Sequence, residues 1–299
     1  MQHWLGAILL ATLGLSGCVS QPSPKTAPSD WLEFQAKRRE SVAGTNGWTT
    51  LVGLHWLHEG VNSAGSDPTN QVVLPRSRVP ASIGTFTRSG KEVRFTATQG
   101  VPALIDGQTV TTTALRSDAA DTPTRLQVGG LQILVLERGE RMALRVRDPL
   151  APARLHFPGM RYFPYSSAWR IEGRFEPAPS PRQVQVMDVT GGTQKFSCPG
   201  VVVFPVNGVE HRLEVFDEAA GEPYFVIFHD ETAGGTTYGG GRFLYVQRPD
   251  VDRRVVVDFN RAYNPPCAVT PFATCPRPPA ENRLPIAIPA GEQDPHWAH

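Results

Sequence analysis

The sequence predicts a mostly β protein built from antiparallel sheets. Three observations lead there. Apolar and polar residues alternate with a period of two from about residue 70 onward. Glycine and proline number 28 each, which calls for many turns and few long helices. The apolar runs are joined by connections too short for parallel crossovers. With 40% hydrophobic and 19% charged residues, a packed core is expected. The division expected is an antiparallel β-sandwich-like part with one helix over residues 30–125, then a second β-rich part over 126–299 that ends in a proline-rich wrap.

Each element has a local reason. Asp30 to Val42 reads as the one convincing helix, with Asp30 as cap and Trp31, Phe34 and Val42 on an apolar stripe. Thr49–Leu57 is apolar, and Gly53 favours strand or turn over helix. Gln71–Leu74 is a short strand. Ile83–Thr87 and Glu92–Ala97 flank a turn at Arg88–Lys91, and Ala103–Ile105 and Gln108–Val110 flank Asp106-Gly107, a two-residue hairpin signal. Leu126–Val128, Leu131–Leu136 and Arg141–Arg147 follow, separated by turns at Gly129-Gly130 and Arg138-Gly139-Glu140. Further strands are expected at Val184–Val189, Val201–Val206, Arg212–Phe216, Tyr224–Phe228, Arg242–Gln247 and Arg254–Phe259.

The N-terminus points to the cell envelope. Leu5 to Leu15 is apolar but too short to span a bilayer. It ends in Leu15-Ser16-Gly17-Cys18, which resembles the lipobox of bacterial lipoproteins. That resemblance implies a signal peptide over residues 1–17, cleavage before Cys18 and lipidation of its thiol. The n-region Met1–Trp4 departs from the pattern in having no Lys or Arg. Residues 18–29, polar and proline-rich, read as a tether. The membrane, through the Cys18 lipid, is the expected partner, with location at the outer membrane or periplasmic face if the cell has two membranes.

A net charge of +1 argues against nucleic-acid binding, which needs clustered basic excess. No HxxxH, HExxH or CxxC pattern appears, so neither a metal nor a cofactor is expected. Cys267 and Cys275, separated by seven residues on a proline-stiffened loop, are the candidates for a disulfide, with Cys198 left as a buried thiol.

Two polar clusters are candidates for chemistry. On Arg141–Arg147, the side chains of Arg141, Arg145 and Arg147 share one face and offer guanidinium forks to an anion. Nearby Glu137, Glu140 and Asp148 favour a solvated, balanced face instead. Residues 258–285 hold seven prolines around a dense set of polar side chains. Asp258 and Glu281 are the candidate general acid and base, with Asp230 as a further carboxylate. Arg242 and Arg283 are candidate anion partners, and Tyr238, Tyr263, Asn260, Asn264 and Asn282 candidate orienting groups for a small polar ligand. The glycine-rich stretch Gly234–Gly241 next door reads as a mobile gate. The competing reading makes the same cluster a brace that satisfies loop backbone groups, in a scaffold module at the membrane surface.

Two family resemblances follow from quoted segments. Gly65–Pro75 followed by Ile105–Val110 weakly resembles a forkhead-associated β-sandwich. Ser66 stands where that family has its phosphate-binding Arg, so phosphopeptide recognition is not implied. FHDETAGGTTYGGGRFLYV at 228–246 with NPPC at 264–267 and ATCP at 273–276 is similar to the bacterial and archaeal family known only as domain of unknown function 1684. Gly47-Trp48, Leu51–Leu54 and Leu144–Pro149 fit the same family. The resemblance implies no activity.

Overall fold

The computed structural model describes residues 28–297; the expected signal peptide, Cys18 and most of the expected tether lie outside the described residues. Helix α1 spans Ser29–Ala43 and buries Trp31 and Val42. Pro28, not Asp30, occupies its N-cap, and no side chain caps the helix. Asp30 instead lies in the first turn, where it favours the helix dipole, and pairs with Arg261 of the distant C-terminal segment. Trp31 Nε1 donates to the Asn260 carbonyl at 3.1 Å, so α1 is pinned to that segment at two points. No helix among the described residues is long and apolar enough to cross a membrane.

The first half carries β1 (Leu51–Trp56), β2 (Gly60–Gly65), β3 (Val72–Val73), β4 (Gly84–Ser89), β5 (Glu92–Ala97) and β6 (Ala103–Ile105). It continues with β7 (Gln108–Thr109), β8 (Thr112–Leu115), β9 (Leu126–Val128), β10 (Leu131–Arg138) and β11 (Arg141–Arg147). These form two sheets, ordered β1-β11-β10-β9-β6-β7 and β3-β2-β4-β5-β8. Their facing side chains, Phe86 and Phe95 from one and Ile133, Val135 and Leu144 from the other, share one core, so the part is a sandwich. All ladders but one are antiparallel; β2 and β3 pair parallel. Asp106 and Gly107 both take positive φ, 49° and 78°, as their hairpin turn requires. Strands β9 to β11 complete the first sheet, so the division between the two parts falls after Arg147 rather than at residue 126. The reason is apolar burial: Leu126, Leu131 and Ile133 seal the sandwich core.

After the one-turn helix α2 (Pro152–Leu155) come β12 (Arg170–Met187), β13 (Thr193–Val206), β14 (Val209–Asp217), β15 (Tyr224–Phe228), β16 (Arg242–Val246) and β17 (Arg254–Asp258). They form one antiparallel sheet in the order β16-β15-β14-β13-β12-β17. The first two-thirds of β12 has no strand signature because of its prolines. The structure accommodates them: the ladder to β13 breaks between Pro177 and Arg182, and β17 pairs only with Arg170–Arg174. All five residues of β15 are buried, because this sheet is covered on both faces. Val226, Phe228 and Leu244 enter one core, with Phe204 and Phe259. Phe225, Ile227 and Phe243 enter a second, with Phe216 and Ala273.

The proline-rich wrap covers that second face. Phe243 and Tyr263 exchange both backbone hydrogen bonds, at 2.8 and 2.9 Å, which ties the wrap to β16. The expected Cys267–Cys275 disulfide is not formed: both are free thiols, as is Cys198. The sulfur of Cys275 instead accepts the backbone N–H of Cys267 at 3.2 Å.

Candidate functional site

The polar side chains of the wrap are engaged mainly with the protein itself. Asp230 and Arg242 form an ion pair at 3.0 Å with both side chains sealed from solvent. Asp230 also accepts from Thr232 Oγ1 and the Ile288 N–H, while Arg242 donates to the carbonyls of Ile288 and Ala290. Asn282 bridges Glu214 and Ile227 through main-chain groups, and Asn260 does the same for Ser166. Asn264 donates to the Gln293 carbonyl, and Tyr238 to that of Cys267. Asp258 Oδ1 accepts from the Asn260 N–H and side-chain amide, which caps the short turn that follows β17. Glu281 and Arg283 are exposed. Asp258 and Glu281 thus sit on different elements and share no hydrogen-bond partner. The stretch Gly234–Gly241 is not loose: Thr232 and Thr237 join hydroxyls at 2.8 Å, Gly234 N–H bonds the Thr237 carbonyl, and Thr237 is buried.

A cavity of about 690 Å³ lies where α1, the edge of the first sandwich and the wrap-covered face of the second sheet meet. Phe34, Lys37, Arg38 and Ser41 of α1 form one side. Phe196, Phe225, Phe243 and Tyr245 form the sheet side, and Ala273–Pro276 of the wrap closes another. Trp48, Arg138 and Arg145 come from the first half of the chain. Of the sequence candidates in the wrap, Tyr263 lines this space, and so does Cys275, which was expected in a disulfide. The volume is in the range usual for small-molecule pockets. Its aromatic wall is ordered: Phe225 meets Phe243 edge-on at 4.9 Å between centroids, and Tyr245 lies nearly parallel to Tyr263. Burial pushes the Tyr245 hydroxyl up to about 12, helped by its hydrogen bond to Glu218 at 2.8 Å. Tyr263 moves in the same direction for the same first cause.

The cations around the cavity differ in one respect. Arg38 pairs with buried Glu292 at 2.9 Å and lies 4.4 Å over the Tyr263 ring. Arg138 pairs with Asp118 at 2.8 Å and reaches Thr274 Oγ1. Lys37, at the rim, pairs with Glu33. Arg145 is 7% exposed and makes no ion pair or side-chain hydrogen bond with any described residue; its Nε is wholly buried without a partner. Its guanidinium carbon sits 5.4 Å from the centre of the Trp48 ring. Burial first, then repulsion from Arg138 and Arg147, brings its pKa down to about 10, so it is still a cation at neutral pH.

The arginine face of β11 is therefore not the balanced, solvated surface that the nearby acids suggested. Glu137 is taken by Lys91 and Asp148 by Arg78. Arg141 stacks on Trp56 at 4.0 Å, and Arg147 donates to the carbonyls of Asn46 and Gly47 and to Thr50 Oγ1. Only Arg145 is left over. Alternation along β11 could place Arg145 on a face, but no local signal names Trp48, Phe196 or Arg38 as its surroundings. The all-apolar run of β15 was the one hint that a second sheet face would be covered.

Fold and cavity define a two-part, mostly β protein with a cationic, aromatic-walled pocket between its parts. A family model described as "Protein of unknown function (DUF1684)" matches residues 155–293. An uncharacterised protein of Haloarcula marismortui, solved by NMR, is 31% identical over 49% of this chain and 82% of its own, with a TM-score of 0.40. The chain belongs to the DUF1684 family. Two forkhead-associated domain structures also match. One, the FhaA domain complexed with the intracellular domain of a second protein, is 17% identical over 31% of this chain and 97% of its own. The other, from a study of phosphothreonine-dependent interactions, is 18% identical over 33% and 96%; each has a TM-score of 0.23. No curated protein matches.

Proposed function

We propose that this protein is a ligand-binding module whose cavity takes a small amphipathic anion. One observation carries the reading: Arg145 is a buried cation with no ion-pair or side-chain hydrogen-bond partner among the described residues, and it lines a cavity with one wall of aromatic rings. A buried charge left unpaired is costly. A ligand anion that supplies its missing hydrogen bonds relieves that cost, while the rings receive the apolar body. Binding is favoured over hydrolysis because Glu218 is the one carboxylate lining the cavity among the described residues, and it is engaged with Tyr245. If Cys18 is lipidated, the module works at a membrane surface.

Calorimetric titration of the purified domain tests the reading. An aromatic anion is expected to bind one site per chain, and to bind more weakly to Arg145→Met. Equal affinity for a neutral analogue of the same shape would overturn it.

A further inference from the structure

Resting on that reading, we propose that the ligand is a monocarboxylic acid with an aromatic-sized apolar body, in preference to a phosphate ester. Among the described residues, four cationic side chains line the cavity, and three already have carboxylates of their own: Arg38 with Glu292, Arg138 with Asp118, and Lys37 with Glu33. One guanidinium is left, so the site balances a single negative charge. A phosphate monoester brings up to two charges at neutral pH and would leave the second uncompensated in a space lined by rings. Glu218 at the exposed edge adds repulsion against a second charge.

Geometry agrees with charge. A guanidinium presents parallel N–H donors that match the two oxygens of one carboxylate. The Arg145 guanidinium donates to no described residue; its Nε is sealed from the cavity, and the two terminal nitrogens are the donors left for such a fork. The polar groups next to it are committed elsewhere: Gln194 donates to the Thr274 carbonyl at 2.8 Å and Arg138 to Thr274 Oγ1 at 3.2 Å. Few donors are left to satisfy the third oxygen of a phosphate. The remaining wall, from Trp48 across Phe225 and Phe243 to Tyr263, offers ring faces and edges to a flat apolar body.

Three probes of one shape separate the possibilities: naphthylacetate, naphthyl phosphate and naphthylacetamide, each titrated calorimetrically at neutral pH. Naphthylacetate is expected to bind roughly ten-fold or more tightly than either of the others, the scale of a charge-assisted hydrogen-bond pair. Arg145→Met should remove that advantage. Arg145→Lys, which keeps the charge but loses the fork, should retain only part of it. Circular dichroism establishes that both variants fold. Tighter binding of naphthyl phosphate overturns the carboxylate inference and leaves the anion pocket standing. Equal binding of the acetamide, or binding of none of the three, overturns the pocket reading as well.

Discussion

The Arg242 guanidinium stands 3.0 Å from the Asp230 carboxylate, and both side chains are almost wholly out of solvent. Arg145 is also buried but makes no ion pair: Asp118, the carboxylate that acts on it through space, is bonded to Arg138. The first arrangement holds the fold together; the second costs stability. That contrast separates brace from site in this protein more sharply than residue type does.

Asp230→Asn should lower stability by about 3–5 kcal/mol, because it leaves Arg242 charged and uncompensated inside the protein. Thermal unfolding should show a midpoint lower by several degrees. A midpoint within experimental error of the parent would mean that the pair is not a brace.

Arg145→Met should raise stability. Its pKa falls from the ordinary 12.5 to about 10, which corresponds to a cost on the order of 3 kcal/mol while the group is charged. The sign follows from proton binding: between these two values the folded state holds fewer protons than the unfolded one, so the cost is fully present below pH 10 and is relieved as pH rises. A urea midpoint measured at neutral pH should therefore increase in the variant. A decrease would argue that Arg145 packs for stability.

Anion binding should hold across neutral pH and weaken as pH rises through about 10, where Arg145 loses its charge. Affinity for naphthylacetate measured between neutral and alkaline pH checks this. A profile that falls instead near neutrality would assign the charge to a different group.

Asp258→Ala should cost about 1 kcal/mol, the usual loss for a capping side chain, since Asp258 Oδ1 accepts the Asn260 N–H. Glu281→Gln, at an exposed position without a hydrogen-bond partner among the described residues, should change stability by less than about 0.5 kcal/mol. Neither substitution should alter ligand affinity. Loss of binding in both would restore these carboxylates as a functional pair.

Much of the architecture was legible in local patterns. The strands β4, β5, β10, β11 and β15 and the helix α1 are where periodicity and turn residues put them, because a strand's two faces and a hairpin's positive φ are properties of short segments. Strands β2 and β8 were not legible: Gly60–Gly65 and Thr112–Leu115 carry little apolar alternation and take their conformation from ladders to β4 and β5. Prolines hid the first part of β12, since only the finished sheet shows that they fall at an edge and in a break of register.

For the site, local pattern identified Arg145 as one of three arginines on a strand face, and no more. Whether a charge is a solvated surface group, half of a brace or an unpaired receptor depends on what lies opposite once the chain has folded. For Arg141 and Arg147 the opposite groups are Trp56 and the carbonyls around Gly47. For Arg145 it is a cavity assembled from α1, the second sheet and the wrap, segments remote from one another in the chain. Conformation along a strand is decided by neighbours in sequence; pairing, burial and desolvation are decided by neighbours in space, and these give Arg145 its character.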